Sequence, residues 1–317
     1  MTDLYASKCK TAGNDRGRVR GLPPPVIPGF LMISLPPVIP LSTHDKGVIL
    51  SMTSIDLATV LAQRPLGLAF DIDGTLSPIV PTPGEARLYP GVAILLEEMK
   101  KYAQVVIVTG RSVENGAPIV NVEGLTYIGT HGMEWCDGLP STHPVRLVSE
   151  AEPYVEPGNY LLDLVQQHLG ELPCVIVQHK MVGGSVHYRL APDPQQTRKR
   201  ILALLEEPAR QVNMRIGEGK MVIEILTPLT INKGEALRRY IQQHKLQGVL
   251  FAGDDRTDLY AIQALAQLRQ SGMNVLSVGV QHNDTPPELL EQADIVVQDV
   301  AGMAQLLHEI VDRLSHT

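Results

Sequence analysis

The sharpest pattern in the chain is an apolar run over 66–70 that stops abruptly at Asp71, Ile72, Asp73, Gly74 and Thr75. Such a run reads as a strand buried on both faces, as in the middle of a parallel sheet. The pattern recurs three times. Residues 105–108 end in Thr109, Gly110, Arg111 and Ser112; residues 125–129 end in Thr130, His131 and Gly132; residues 249–252 end in Gly253, Asp254 and Asp255. Between the runs the spacing changes to that of a helix. Val92, Leu95, Leu96 and Met99 predict one over 90–102, with Pro90 near its first turn. A short helix is expected over 54–61 with Ser54 as its cap, and others over 234–244, up to 269, and over 303–314. Two further strands are read at 274–280 and 294–297. The order β-α-β-α-β predicts a Rossmann-like parallel sheet with right-handed crossovers.

The rhythm changes between 137 and 227. Strands expected at 175–179, 185–190, 212–216 and 221–226 alternate polar and apolar residues, with helices over 155–169 and 195–205 between them. Alternation suits an antiparallel sheet with one open face, so this stretch reads as an inserted α/β domain of roughly 90 residues, an ordinary domain size. The expected organisation is a tail over 1–51, a core over 52–136 and 228–317, and the insert over 137–227.

The tail differs in composition. Lys8, Lys10, Arg16, Arg18 and Arg20 precede an uncharged stretch, 22–41, which imitates a membrane anchor. Seven prolines in that stretch, from Pro23 to Pro40, prevent a continuous helix, so a disordered, Pro-rich segment is expected and no membrane association. The formal net charge of −7 and an aromatic content of 4% argue against nucleic-acid binding. Cys9, Cys136 and Cys174 show neither zinc spacing nor a disulfide framework, which suits a cytoplasmic setting.

The strand tips hold the candidate chemistry. In open α/β sheets, ligands bind beyond the carboxyl ends of the strands. Asp71 and Asp73, two apart, share one side if the strand continues. Carboxylates that close repel unless a cation or proton separates them. One then serves as nucleophile or metal ligand and the other as acid/base. An EF-hand is excluded because Thr75 and Thr82 stand where further ligands are needed. A P-loop kinase is excluded because its Gly-x-x-x-x-Gly-Lys-Ser/Thr signature is absent. Asp254, Asp255 and Asp258 end another strand, Thr109 and Arg111 a third, and Lys233 opens a helix between them. Oxygen ligands with a lysine and a hydroxyl suit Mg²⁺ and a transferring phosphoryl group.

Asp71-x-Asp73-Gly-Thr75, Thr109, Lys233 and the Gly253 to Asp258 run resemble the four signatures of haloacid-dehalogenase-type phosphatases. Thr109-Gly-Arg-Ser112, His131-Gly-x-Glu134, His187-Tyr-Arg189, Gly219-Lys220-x-x-x-Glu224 and Asn232-Lys-Gly234 resemble, within them, the trehalose-6-phosphate phosphatase family. The resemblance spans about 66–314 and leaves the tail without a counterpart. It implies a HAD-like core with a mobile cap and Mg²⁺-dependent hydrolysis of trehalose 6-phosphate by a monomer. Another sugar phosphate, such as sucrose 6-phosphate or a glycosyl-phosphoglycerate, is the alternative substrate. It implies Asp71 as nucleophile, Asp73 as proton donor and acceptor, and Thr109 and Lys233 as phosphoryl-binding residues. The metal would be held by Asp71, the Asp73 carbonyl and Asp254, supported by Asp255 and Asp258. Arg111, His131, Gly132, Glu134, Lys180, Arg189, Lys220 and Glu224 are grouped by the resemblance with substrate binding. The chain departs from the pattern over 113–124, where Gly116 and Pro118 argue against a full crossover helix.

Overall fold

The run Leu66–Phe70 forms β2, buried along its whole length. Its neighbours are β3 (Gln104–Val108) on one side and β11 (Gly248–Gly253) on the other, both parallel to it. This computed structural model describes residues 48–50, 56–80, 83–219 and 221–316. Within them the large sheet adds β4 (Thr126–Gly129), β12 (Asn274–Gln281) and β13 (Ile295–Gln298) in parallel. Antiparallel edges are made by β1 (Val48–Leu50), β5 (Glu134–Asp137) and β6 (Arg146–Leu147). The order is β1-β13-β12-β11-β2-β3-β4-β5-β6. The chain leaves β2 toward β3 and returns to its other flank at β11, so strand order reverses at β2, where such sheets open a crevice for ligands.

Strand alternation divides the core in two. Leu68, Phe70, Val105, Ile107, Leu250 and Ala252 face α1 (Leu57–Leu61), α2 (Val92–Met99), α3 (Val113–Val120) and α9 (Asp299–Ser315). Ala69, Val106, Val108, Val249 and Phe251 face α6 (Lys233–His244), α7 (Asp258–Gln270) and α8 (Pro287–Gln292). Each fully buried large side chain contributes about 1.5–3 kcal/mol by leaving water, and β2 and β11 carry no polar side chain before their tips.

Four more strands form a separate antiparallel sheet, in the order β7 (Ile176–His179), β8 (Gly184–His187), β10 (Val222–Leu226), β9 (Arg215–Gly219). Helices α4 (Val155–Gln167) and α5 (Pro194–Gln211) cover one face. There Leu161, Leu162, Val165, Ile201 and Leu205 pack on Val186, Ile223 and Ile225. The parallel core, the antiparallel insert and its single covered face agree with the sequence pattern.

Several details differ. Residues 137–147, expected in the insert, belong to the large sheet through the β4–β5–β6 pairings, so the insert begins beyond Leu147. Val48–Leu50, expected in a disordered tail, pairs with β13; the rest of that tail lies outside the described residues, as does Ser54. The cap of α1 is Asp56, whose carboxylate accepts the Thr59 N–H. The doubted crossover helix exists as α3, with Pro118 inside it. There Gly116 permits close packing on Thr109 and Ile72, whose side chains a Cβ would meet at 3.2 Å. Helix α5 runs past Leu205 to Gln211, which moves the next strand to Arg215–Gly219. Cys174 is disulfide-bonded, against the expectation of a chain without disulfides, while Cys136 is a buried free thiol. Among the described residues no helix is long and apolar enough to cross a membrane.

Candidate active site

Asp71 extends β2 by one residue, its N–H donating to the Ala252 carbonyl of β11. The chain then turns at once. The N–H groups of Thr75, Leu76 and Ser77 all converge on the Ile72 carbonyl, and the Gly74 N–H reaches Ser77. Gly74 has φ +80°, and a Cβ there would sit 2.1 Å from an Asp254 carboxylate oxygen. Glycine therefore serves twice: it allows the left-handed turn and lets the β11 tip approach the β2 tip. The Thr75 hydroxyl donates to Asp254 at 3.3 Å, and the His282 imidazole bonds the Gly74 carbonyl from the end of β12.

Lys233 begins α6, which Asn232 caps by accepting the Glu235 N–H. Its ammonium is 1% exposed and lies 2.8 Å from Asp71 Oδ1 and 2.7 Å from Asp258 Oδ1. The other Asp258 oxygen accepts the N–H groups of Asp254 and Asp255. Asp255 in turn accepts from the Thr257 hydroxyl and from the N–H groups of Thr257 and Asp258. The acidic run is thus a self-bonded turn that opens α7 and holds Asp254 toward Asp71. Gly253 is needed beside it, because a Cβ there would meet the Asp258 carboxyl carbon at 2.3 Å.

Charge is unbalanced in this cluster. Burial pushes the Asp71 carboxyl up to about 7, opposed by Lys233 and aided by Asp255 and Asp254. Burial, with Asp258 and Asp255 nearby, pushes Asp254 up to about 8. Asp258 is also raised well above its ordinary value, by burial first and then by Asp71 and Asp255 against the pull of Lys233. Asp255 is buried too, yet Lys233 and its donors lower it to about 2. Burial alone would depress Lys233, but Asp258 and Asp71 outweigh it and raise the ammonium above its ordinary value. Carboxylate oxygens of Asp71, Asp254 and Asp258 lie within 4.8 Å of one another, all buried. That oxygen-only set, short of positive charge, fits a hard divalent cation. Since Asp258 is engaged by Lys233 and two backbone N–H groups, Asp71 and Asp254 are the residues that could face the ion.

Above this cluster lies a cavity of about 320 Å³. Asp71, Asp73, Thr109, Arg111, His131, Lys233 and Asp255 line it from the core, and Lys180 from the insert. The structure therefore gathers these expected residues at one place. Arg111 grips Asp73 with both arms of its guanidinium, Nε to Oδ2 at 2.6 Å and Nη2 to Oδ1 at 2.7 Å. The Thr109 hydroxyl accepts the Arg111 N–H. His131 adopts φ 56°, its ring stands against Gly110, and its buried Nδ1 has no hydrogen-bond partner. Burial, with Lys233 and Lys180 nearby, lowers its imidazole to about 4. Glu224 lies 3.9 Å from Lys180 on the insert.

Other expected residues stand elsewhere. Glu134 is fully buried and does not line the cavity. Its carboxylate accepts the Val113 N–H that opens α3, the Thr130 hydroxyl and, at 3.4 Å, the Met181 N–H. Those bonds make it a structural anchor in place of the expected sugar contact. Gly132 is buried against Ala236, with its carbonyl accepting from Trp135. Arg189 is exposed in the turn after β8, which ends two residues before it. Lys220 lies outside the described residues. Sequence reasoning missed Gln178, Ser185, Ser112 and Asn115, which line the cavity, and His282. Gln178 and Ser185 were accessible to it, because both alternate with apolar residues on strands expected to have an open face.

A family model described as trehalose-phosphatase matches residues 69–289. The chain is similar to the trehalose-phosphate phosphatase of Mycobacterium avium (strain 104), 31% identical over 259 residues covering 80% of this chain and 64% of the relative. The enzyme of the same name from Mycobacterium ulcerans (strain Agy99) is 30% identical over 264 residues, covering 80% of this chain and 65% of the relative. The chain thus spans just under two thirds of the length of these curated relatives. Among solved structures, a trehalose-6-phosphate phosphatase related protein superposes with a TM-score of 0.62 at 24% identity, over 78% of this chain and 97% of the other. The C-terminal domain of trehalose-6-phosphate phosphatase from C. albicans gives 0.61 at 19%, over 81% and 97%. These two share the fold. The family match runs unbroken from the end of β2 to α8, taking in every strand tip and helix start that supplies the acidic cluster, and on that extent the chain belongs to the trehalose-phosphatase family.

Proposed function

We propose that this chain is a Mg²⁺-dependent phosphomonoesterase that hydrolyses trehalose 6-phosphate to trehalose and phosphate. The observation that carries the reading is the Asp71–Lys233–Asp258 cluster beneath a cavity lined by both the core and the inserted sheet. Family membership supplies the substrate. Lys233 holds Asp71 through Oδ1, leaving Oδ2 to attack phosphorus. The bond from phosphorus to the sugar oxygen breaks as the Asp71–phosphorus bond forms, giving an aspartyl-phosphate. Asp73 delivers a proton to the departing sugar oxygen. It then takes one from the water that attacks phosphorus, which frees phosphate and restores Asp71. Thr109 and Lys233 bind the phosphoryl oxygens, where donors fixed in a dry site act most strongly. Asp71 and Asp254 would hold the cation, with Asp258 and Asp255 behind them. When bound, the cation neutralises phosphoryl charge and orients the group for in-line attack. Arg111 holds both oxygens of Asp73 as a carboxylate, so it must release one of them before Asp73 can carry the proton it delivers. The insert closes over the sugar and keeps bulk water from the first step.

The test is phosphate release from trehalose 6-phosphate, glucose 6-phosphate and sucrose 6-phosphate, each with Mg²⁺ and with EDTA. A strong, Mg²⁺-dependent preference for trehalose 6-phosphate is expected. Equal rates on all three would refute the substrate assignment, and undiminished rates in EDTA would refute the cation.

A further inference from the structure

The acidic cluster is built from the tips of β2 and β11 and the start of α6. The tip of the next strand, β12, reaches it as well. β12 runs parallel to β11, with Gly279 paired to Gly253, so it emerges at the same end of the sheet as Asp254. His282 follows its last residue, and the His282 ring bonds the Gly74 carbonyl.

The ring is presented by a closed turn. The His282 backbone N–H donates to the Thr285 hydroxyl at 2.8 Å, and that hydroxyl donates to the Val280 carbonyl at 3.0 Å. Thr285 is buried, so a single sheltered hydroxyl ties the end of β12 to the start of the next segment. Pro286 and Pro287 then lead into α8 with their φ angles fixed by their rings.

What His282 holds is one peptide unit. The Gly74 carbonyl and the Thr75 N–H are its two ends, and the unit is planar. The N–H donates to the Ile72 carbonyl at 3.2 Å, and the carbonyl receives His282, so the plane is pinned on both sides. The turn itself has no donor to spare for that carbonyl. The N–H groups of Gly74, Thr75, Leu76 and Ser77 are all spent on the Ser77 and Ile72 carbonyls. With the Gly74 oxygen accepting, Nε2 of His282 carries the proton.

Both residues of the pinned unit touch Asp254. A Cβ on Gly74 would meet the two Asp254 carboxylate oxygens at 2.1 and 2.6 Å, and the Thr75 hydroxyl donates to Oδ1 at 3.3 Å. The direction in which Asp254 faces Asp71 therefore depends on how this peptide is turned. We infer that His282 is a positioning residue for the cation site, acting through the Gly74–Thr75 peptide to hold the Asp254 carboxylate toward the ion. The inference rests on the proposed cation-dependent reading and adds to it a residue, outside the acidic cluster, that sets the affinity of the site.

The experiment titrates Mg²⁺ calorimetrically into the full chain without substrate. Wild type is compared with His282→Ala, His282→Gln and His282→Asn, and the metal-free melting temperature of each is recorded. The amide nitrogen of a glutamine stands where Nε2 stands, and that of an asparagine where Nδ1 stands, so only glutamine can still reach Gly74. The Kd for Mg²⁺ should rise about three- to tenfold in the alanine and asparagine variants, the span of one lost hydrogen bond, and return to within about twofold of wild type in the glutamine variant. At saturating Mg²⁺, kcat and KM for trehalose 6-phosphate should stay within about twofold of wild type, because the loss is in metal binding and not in sugar binding. Thr75→Val removes the hydroxyl through which part of the effect passes. Combined with His282→Ala, it should raise Kd by less than the product of the two single effects.

Unchanged Mg²⁺ affinity in His282→Ala, an asparagine variant as good as the glutamine one, or effects of His282→Ala and Thr75→Val that multiply in full would overturn the inference. So would a lower metal-free melting temperature with unchanged affinity, which would leave His282 a structural role alone. If wild type binds no Mg²⁺, the cation reading fails and takes the role of His282 with it. If wild type binds Mg²⁺ and His282→Ala binds it equally, only the role of His282 is wrong.

Discussion

Lys233→Met removes one positive charge from the centre of the acidic cluster while nearly preserving side-chain volume. The ammonium contacts Asp71 at 2.8 Å and Asp258 at 2.7 Å with no exposure to solvent worth the name, 1%. At an effective dielectric of 20, each contact is a gross attraction of about 6 kcal/mol. Desolvation offsets much of it. Breaking a buried pair by removing one partner has a net effect of about 3–5 kcal/mol. The sign with pH comes from the carboxylates. Asp71 ionises near 3.8 when unfolded and near 7 when folded, so the folded state binds more protons between those values and stability falls as pH rises through that window. Without Lys233 the window extends upward, because nothing opposes the burial of Asp71 and Asp258. In EDTA, urea denaturation should therefore show a loss of about 3–5 kcal/mol at pH 8 and a clearly smaller one at pH 5. Turnover should fall about 10²–10³-fold on trehalose 6-phosphate and on p-nitrophenyl phosphate alike, the effect of removing one transition-state donor. Equal destabilisation at both pH values, or a variant with more than a tenth of wild-type kcat, would refute the electrostatic role given to Lys233.

Three further outcomes are expected. Asp73→Asn cannot donate a proton, so formation of the aspartyl-phosphate, read as the pre-steady-state burst, should slow about 10²–10⁴-fold for trehalose 6-phosphate and much less for p-nitrophenyl phosphate, whose leaving group needs no acid, while hydrolysis of the intermediate slows for both; equal losses in the burst would contradict the assignment. Glu134→Ala strands the Val113 N–H and the Thr130 hydroxyl in the interior, and equilibrium unfolding should register about 2–4 kcal/mol of destabilisation; a change below about 0.5 kcal/mol would show that the anchor role is misread. Mg²⁺ competes with protons for Asp71 and Asp254, raised by burial to about 7 and about 8. The rise in melting temperature on adding Mg²⁺ should therefore be larger at pH 8 than at pH 5, and the same rise at both would place the ion elsewhere.

The core was legible because its signals are local. A five-residue apolar run that stops at Asp71 can only be a buried strand with a polar tip, and the same reading found β3, β4 and β11. What those tips do to one another was not legible. That Asp258 both receives Lys233 and organises the Asp254 turn depends on a loop closing on itself, and that Gly74 makes room for Asp254 depends on two segments far apart in sequence. Glu134 shows the limit of resemblance. A glutamate three residues after His131 fits a motif, but only packing reveals that backbone donors already surround it. The edge of the insert was misread because β6, two residues long, is too short to show a period, and only its pairing with β5 assigns it to the large sheet. Gln178 and Ser185 were overlooked for a related reason: neutral polar residues on an alternating strand look like an ordinary wet face until another element is brought over them.

The most direct test of the central claim is chemical trapping of the intermediate. The enzyme is quenched during turnover of trehalose 6-phosphate and Mg²⁺, treated with borohydride, and digested for mass spectrometry. An aspartyl-phosphate at position 71 would be reduced to homoserine there. Homoserine at 71 in a turnover-dependent fraction of the protein, and at no other aspartate, is the predicted result. Steady release of phosphate with Asp71 unmodified, or modification at Asp73 or Asp254 in its place, would contradict it.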